Sequence, residues 1–173
     1  HLYLYRNGGS ADIEISTTAP AEPYSGVART KSGDNTRRYI GSIRTGASGE
    51  VARFRHELPG RILYNADING FRVLNNGTSV DPPANLSLTG AIPVTSRVAR
   101  VVVENSGTGA GTVAFSNPDL TTTAIGTAIL FYLRSTGMAQ TELPTSEGRQ
   151  INYAYFSTPG AGVGTSVWVV GYS

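Results

Sequence analysis

The chain has 173 residues, 14 Lys and Arg against 12 Asp and Glu, and no Cys. That length suits one domain, or two small ones, with a core that needs no covalent staple. The absence of Cys excludes disulfides and thiolate metal sites and leaves the redox compartment unreadable. Charged residues make up only 15% while Gly fills 21 positions, a balance that favours strands joined by tight turns over helices.

The chain opens at His1 in a strand-like run, "HLYLY", with no basic, apolar and small-residue leader before it, so the expectation is a fragment of a larger protein. Asn7-Gly8 predicts a type I′ hairpin, because both central positions tolerate positive φ. In the following "ADIEIS", Ile13 and Ile15 face one way and Asp12, Glu14 and Ser16 the other, which is a half-buried strand. Residues 17–26 hold two Pro and read as a loop.

A turn at Lys31 to Asp34 precedes the strand "TRRYIGSIR", and "GASGE" precedes "VARFRHEL". "RILYNAD" and "FRVL" flank a turn at Asn69-Gly70, and Asn75-Asn76-Gly77 forms a second turn. Asp81-Pro82-Pro83 then interrupts the pattern, since Pro cannot sit in a central strand. It marks the expected boundary between subregions 1–80 and 84–173 of a single β domain spanning 1–173.

The second half continues with "NLSLTG", "RVARVVVEN", "GTVAFS", "AILFYLR", "RQINYAYFS" and "TSVWVVGYS", joined by Gly-, Thr- and Pro-rich connections. Roughly eleven to thirteen short strands at this spacing predict an all-β, antiparallel β-sandwich, jelly-roll-like in its class. No window supports a long amphipathic helix. No stretch reaches the roughly 18 apolar residues of a membrane span, so membrane insertion is not expected. "AILFYL" and "VWVV" are apolar on both strand faces, which calls for cover on both, by a loop or by another subunit. Subunit packing, as a trimer or dimer, is the reading taken here.

Thirteen of the basic residues are Arg and only Lys31 is Lys; nine of the fourteen fall between Arg29 and Arg72. Such an excess could draw an anionic partner, for example an acidic sugar. The preferred reading is that these Arg pair with acids across strands or subunits. A nucleic-acid surface would bring more Lys and Arg and a clearer excess charge, so no nucleic-acid partner is expected.

Catalytic signals are sparse. His56 stands alone in mid-strand, and a base needs an orienting and a reacting partner. His56-Glu57 begins a zinc-protease helix motif that Pro59 stops, and two His without Cys argue against a metal site or cofactor. Asp67-Ile68-Asn69-Gly70 lacks the spacing and closing Glu of a calcium loop and reads as a hairpin turn. "SGTGAGT", residues 106–112, lacks the Lys and helix of a phosphate loop. No pair among the twelve acids is selected for glycoside hydrolysis. Nine Tyr and one Trp among many Asn, Ser, Thr and Gly instead suggest a binder, since sugars take flat rings, short polar groups and Arg forks. The candidates are Arg37, Arg38, Tyr39, Tyr64, Tyr153 and Tyr155, set against the ordinary use of Tyr in sheets and cores.

The stretch "KSGDNTRRYIGSIRT", residues 31–45, resembles a segment of the distal, C-terminal regions of tailed-bacteriophage tail fibres and tailspikes. There a Lys-Ser-Gly turn precedes Thr-Arg-Arg-Tyr, an aliphatic residue and Gly. "HLYLYRNGG", "ADIEIS" and "GVARTKSG" are similar to what comes before that turn, so the resemblance covers roughly residues 1–55. Beyond Arg55, "RFRHELPGRILYNAD" departs from the aromatic, Asn-containing segment of those relatives, and no receptor-contacting residue carries over. The resemblance implies a homotrimeric virion appendage whose tip attaches to a bacterial surface polysaccharide or lipopolysaccharide. It also admits a purely structural trimerisation or capping domain. Some tailspikes degrade the glycan through a separate repeating body, and no such repeat is visible, so the domain is not expected to be an enzyme.

Within this stretch, strand alternation puts Arg38 with Ile40 on one face and Arg37 with Tyr39 on the other. The Arg pair therefore cannot form one patch, and Arg37-Tyr39 is the better candidate for a ligand contact.

Overall fold

The computed structural model describes residues 1–46, 48–58, 60–65, 71–106, 111–120, 128–134 and 136–173. Fourteen strands, and no α-helix, occur among these described residues. The chain divides into two compact units, 1–51 and 52–173.

In the first unit, β1 (Leu2–Asn7) and β2 (Ser10–Ile15) form an antiparallel hairpin. Asn7 pairs with Ser10, so the two-residue loop is Gly8-Gly9, with φ of +56° and +99°. The turn thus lies one residue beyond the expected Asn7-Gly8. Two positive φ values in succession suit glycine, which has no Cβ to clash. β3 (Thr30–Lys31) and β4 (Asp34–Gly41) complete a four-stranded antiparallel sheet in the order β2-β1-β4-β3.

Register gives this sheet two unlike faces. Tyr3, Tyr5, Asp12, Glu14, Arg37 and Tyr39 share one; Leu4, Ile13, Ile15, Arg38 and Ile40 share the other. Tyr3 is fully buried, and its hydroxyl donates to the Thr18 carbonyl at 2.6 Å, so the Pro-containing loop folds back over the first face. The second face stays open: Leu4, Ile13, Ile15 and Ile40 are 38%, 57%, 68% and 48% exposed.

The second unit holds β5 (Phe54–Leu58), β6 (Arg61–Tyr64), β7 (Arg72–Gly77), β8 (Ala84–Ser87) and β9 (Val98–Ser106). These are followed by β10 (Val113–Ser116), β11 (Phe131–Leu133), β12 (Gly137–Pro144), β13 (Gln150–Tyr155) and β14 (Gly164–Tyr172). One sheet runs β12-β9-β14-β6-β5, with β7 also paired to β14; the other runs β11-β10-β13-β8. The pairings within both sheets are antiparallel. Val101, Val103, Val167 and Val169 of the first sheet share one core with Val113, Phe115, Ile151, Tyr153 and Tyr155 of the second. Burying each such Val stabilises the fold by about 1.5–3 kcal/mol. The expected all-β antiparallel architecture, with sheets sharing a core as in a sandwich, is what this unit adopts.

Asp81-Pro82-Pro83 lies inside the second unit, not at its edge. The Asp81–Pro82 peptide is cis, and β8 begins just beyond the Pro pair. Residues on both sides, Ile62, Tyr64 and Phe71 before it and Leu86 and Leu88 after it, enter the same core. The Pro pair interrupts strand pairing without ending the hydrophobic packing.

The two doubly apolar runs behave differently. Every residue of β14 except Val170 is buried within the single chain. Trp168 sits opposite Val102, and both are buried outside the main core cluster. In "AILFYL" only Phe131–Leu133 is strand; Phe131 and Leu133 pack on the core while Leu130 and Tyr132 remain exposed. β12, "GMAQTELP", pairs with β9 along all eight of its residues. It lacks the β-branched and aromatic density that marks its neighbours as strands in the sequence.

Candidate functional site

The Lys-Ser-Gly segment is the tight connection between β3 and β4. Lys31 pairs with Asp34 across it, and Gly33 takes φ of +79°. Asp34 then fixes the start of β4. Its Oδ1 accepts from the Thr36 backbone N–H at 3.0 Å and from the Thr36 hydroxyl at 2.6 Å. Its Oδ2 accepts from Arg37 Nη1, also at 2.6 Å.

Strand alternation turns Arg37 toward β1 and β2. Its guanidinium lies 4.7 Å from the centre of the Tyr5 ring, and its Nε donates to Glu14. The other oxygen of Glu14 accepts from Lys31 Nζ. Glu14 on β2 and Asp34 on β4 are thus joined through Arg37, with Lys31 on β3 closing the set. Tyr5 and Asn7 both donate to Asp12 beside it, at 3.0 and 3.1 Å. A groove of about 420 Å3 opens next to this network, lined by Ala21, Thr30, Lys31, Gly33, Asp34 and Asn35.

The network sets the protonation of the acids. Hydrogen bonds from Lys31 and then Arg37 hold the Glu14 carboxyl below its ordinary value. Those from the Thr36 hydroxyl and backbone do the same for Asp34. Asp12 is lowered by Asn7, Ile13 and Tyr5. A glycosidase needs one carboxyl that keeps its proton at working pH, raised by burial or a like charge. Glu14 and Asp34 converge on one Arg but both are pushed the opposite way, so the pair offers two carboxylates and no general acid.

The sequence candidates separate cleanly. Arg37 and Tyr39 share the sheet face of Tyr3, Tyr5 and Glu14, and neither lines the groove, though Arg37 bonds to the lining Asp34. Tyr39 packs at 5.9 Å from Tyr3 and 6.0 Å from His1, and its hydroxyl meets Ser42 Oγ at 2.8 Å. Arg38 points to the open aliphatic face, opposite Leu4, and pairs with no carboxylate among the described residues. Tyr64, Tyr153 and Tyr155 are buried in the core of the second unit and present no ring face to a ligand. Tyr64 stacks on Phe71 at 4.7 Å and donates to the Ala91 carbonyl at 2.9 Å. Tyr155 donates to Asn105 Oδ1 at 2.6 Å, and Tyr153 to Ser79 Oγ at 3.2 Å. Each fills a sheet interior and satisfies one polar partner, a role Tyr performs as well as it performs sugar stacking.

Glu14, Lys31, Asp34 and Asn35 were not among the sequence candidates. The available signals were the lone Lys of the chain at a turn and the polar face of "ADIEIS". Their partnership depends on pairing β1 with both β2 and β4, which local pattern does not specify.

A second charged cluster belongs to the other unit. Glu57 accepts from Arg100 at 2.6 Å and from Arg55 at 3.2 Å, with Arg61 at 3.7 Å. Arg61 also pairs with Glu142. Burial pushes the Glu57 carboxyl up, but Arg100 and then Arg55 outweigh it and hold the group below its ordinary value. This cluster ties β5, β6, β9 and β12 together, and the crevice among Arg61, Arg100, Glu142 and Tyr172 is too narrow for water. Pairing across strands, the preferred reading of the Arg excess, describes Arg37 and Arg61, and Arg100 outside that run does the same; Arg55 pairs with Glu57 within β5 itself.

Exposed His56 sits edge-on to Phe54, with ring centres 5.7 Å apart, and no cluster of three or more metal-binding side chains occurs among the described residues. The same residues hold no helix long and apolar enough to cross a membrane. Asp67-Ile68-Asn69-Gly70 and most of the Gly-rich 106–112 segment lie outside the described residues. No family model matches the chain, and comparison with curated proteins and with solved structures gives no match either.

Proposed function

We propose that this chain is a distal domain of a tailed-phage tail fibre or tailspike, assembled as a homotrimer on the virion. In this reading its second unit is a jelly-roll-like sandwich, and its first unit contributes to attachment to a bacterial surface polysaccharide or lipopolysaccharide without cleaving it. The observation that carries the attachment role is the groove of about 420 Å3 on the first unit. Its lining is short, polar and held in place by ion pairs, the character of a site that fixes hydroxyl groups. Four of its lining residues, Lys31, Gly33, Asp34 and Asn35, belong to the stretch that carries the family resemblance. The open aliphatic face of the same sheet, Leu4, Ile13, Ile15 and Ile40, supports assembly, because a contiguous exposed apolar surface marks an interaction site.

Adsorption of the labelled chain to a panel of bacterial strains tests the attachment role. Asn35→Ala removes an exposed amide from the groove rim and touches none of the ion pairs, so adsorption falls several-fold. Unchanged adsorption overturns the groove as the attachment point.

The second reading is a structural trimerisation or capping domain without a ligand. It is favoured by the pairing of Arg37 with both Glu14 and Asp34, and by the burial of Tyr64, Tyr153 and Tyr155. It expects wild-type adsorption to be absent while the trimer forms normally.

A further inference from the structure

We infer that the groove over the β3–β4 turn accepts an uncharged, hydroxyl-rich saccharide unit and disfavours acidic sugars. This rests on the glycan-binding reading and narrows it to a ligand class. The excess of Arg in the sequence suggests attraction for an anion, but the geometry around the groove cancels it. Lys31 and Arg37 are the cations beside the groove, and both are engaged by Glu14, with Arg37 also on Asp34. Two cations therefore face two carboxylates, a balance of zero. Asp12, on the same sheet face, adds a negative charge, Arg29 pairs with Glu22 at 3.7 Å, and the uncompensated Arg38 lies on the opposite face.

An incoming carboxylate or phosphate would have to displace Glu14 from its two cations or lie against Asp34, and either costs energy through like-charge repulsion. A hydroxyl meets no such barrier. Asn35 offers an exposed amide without a partner among the described residues, and Thr30 offers a hydroxyl. The Asp34 carboxylate, already aligned by Thr36 and Arg37, can accept one further donor. The lining contains no aromatic ring, so recognition depends on hydroxyl hydrogen bonds and not on stacking.

The test uses the intact chain on an array of bacterial oligosaccharides, neutral and uronate-containing, read at 20 and 500 mM NaCl on the scale set by screening. The expected result is retention on neutral glycans, with signal changing by less than about twofold between the two salts. Asn35→Ala lowers that signal several-fold without introducing salt dependence. Glu14→Gln with Asp34→Asn leaves two cations uncompensated and brings salt-sensitive retention on the uronate glycans. Retention of the wild-type chain on uronate glycans alone, falling steeply with salt, overturns the neutral-ligand inference and leaves glycan binding standing. Retention on no glycan of either class overturns both.

Discussion

The two units are held together by different means. The second places a continuous set of apolar side chains between two sheets, from Val101 and Val103 through Phe115 to Val167 and Val169. The first has, among its described residues, one large side chain that is fully buried, Tyr3, and relies around it on a hairpin turn, aromatic edges and the Glu14 ion pairs. A four-stranded sheet with one closed face can bury little, and its polar contacts then decide its geometry. A sandwich closes two faces against each other, and there packing density dominates.

Substitutions that act on packing should have the largest effects, and they belong to the second unit. Phe115→Ala opens a cavity at the centre of the sandwich and should cost about 3–5 kcal/mol, read as lost hydrogen-exchange protection in β10 and β13. A loss below about 1 kcal/mol would break the claim that packing governs this unit.

Tyr155→Phe keeps the ring but leaves the buried Asn105 carbonyl oxygen without its donor, for an expected loss of about 1–3 kcal/mol. Burial pushes the Tyr155 hydroxyl up to about 12 from an ordinary value of 10.0. The folded state therefore holds this proton more tightly than the unfolded chain does. Its contribution is complete below pH 10 and drains away as the pH rises toward 12, a step that denaturant titrations should show and Tyr155→Phe should remove.

In the first unit the expected effects are smaller and more local. Gly8→Ala puts a Cβ at φ of +56° and should cost about 1 kcal/mol, seen as faster exchange in β1 and β2. Weakest is the acid response. Glu14 and Asp34 are held below their ordinary values of 4.5 and 3.8, so their stabilisation is complete above those values and is lost as the pH falls through the lowered ones. Exchange in β2 and β4 should rise in that window, and Glu14→Gln should reduce the step. An unchanged step would show that the ion pairs do not hold this sheet.

Assembly is tested on the same unit. Sedimentation should give a mass three times that of the 18.2 kDa chain, and Ile13→Asp should reduce it toward the monomer. A monomeric wild-type chain at micromolar concentration overturns the trimer.

Strand existence was legible where β-branched and aromatic residues cluster, as in β9, β13 and β14. β12 was not, since its residues gain their place from pairing with β9. The Pro pair looked like a boundary because local pattern records broken pairing but not continuity of the core. For the site, the opposite orientations of Arg37 and Arg38 could be read from alternation alone. The identity of Arg37's partners could not, because Glu14 lies 23 positions away and meets it only through β1. Tyr was the least informative type: the same residue fills the core as Tyr155 and stacks beside a guanidinium as Tyr5.

Odd positions of β4, Arg37 and Tyr39, serve the face that carries Tyr3 and Glu14, while even positions, Arg38 and Ile40, serve the aliphatic side. Because neighbouring positions answer to different surroundings, the two surfaces can diversify separately under selection. Point substitutions preserve that independence. A one-residue insertion or deletion within the strand would exchange the two sets at a stroke. Variation among descendants of this segment should therefore accumulate by replacement and leave its length alone.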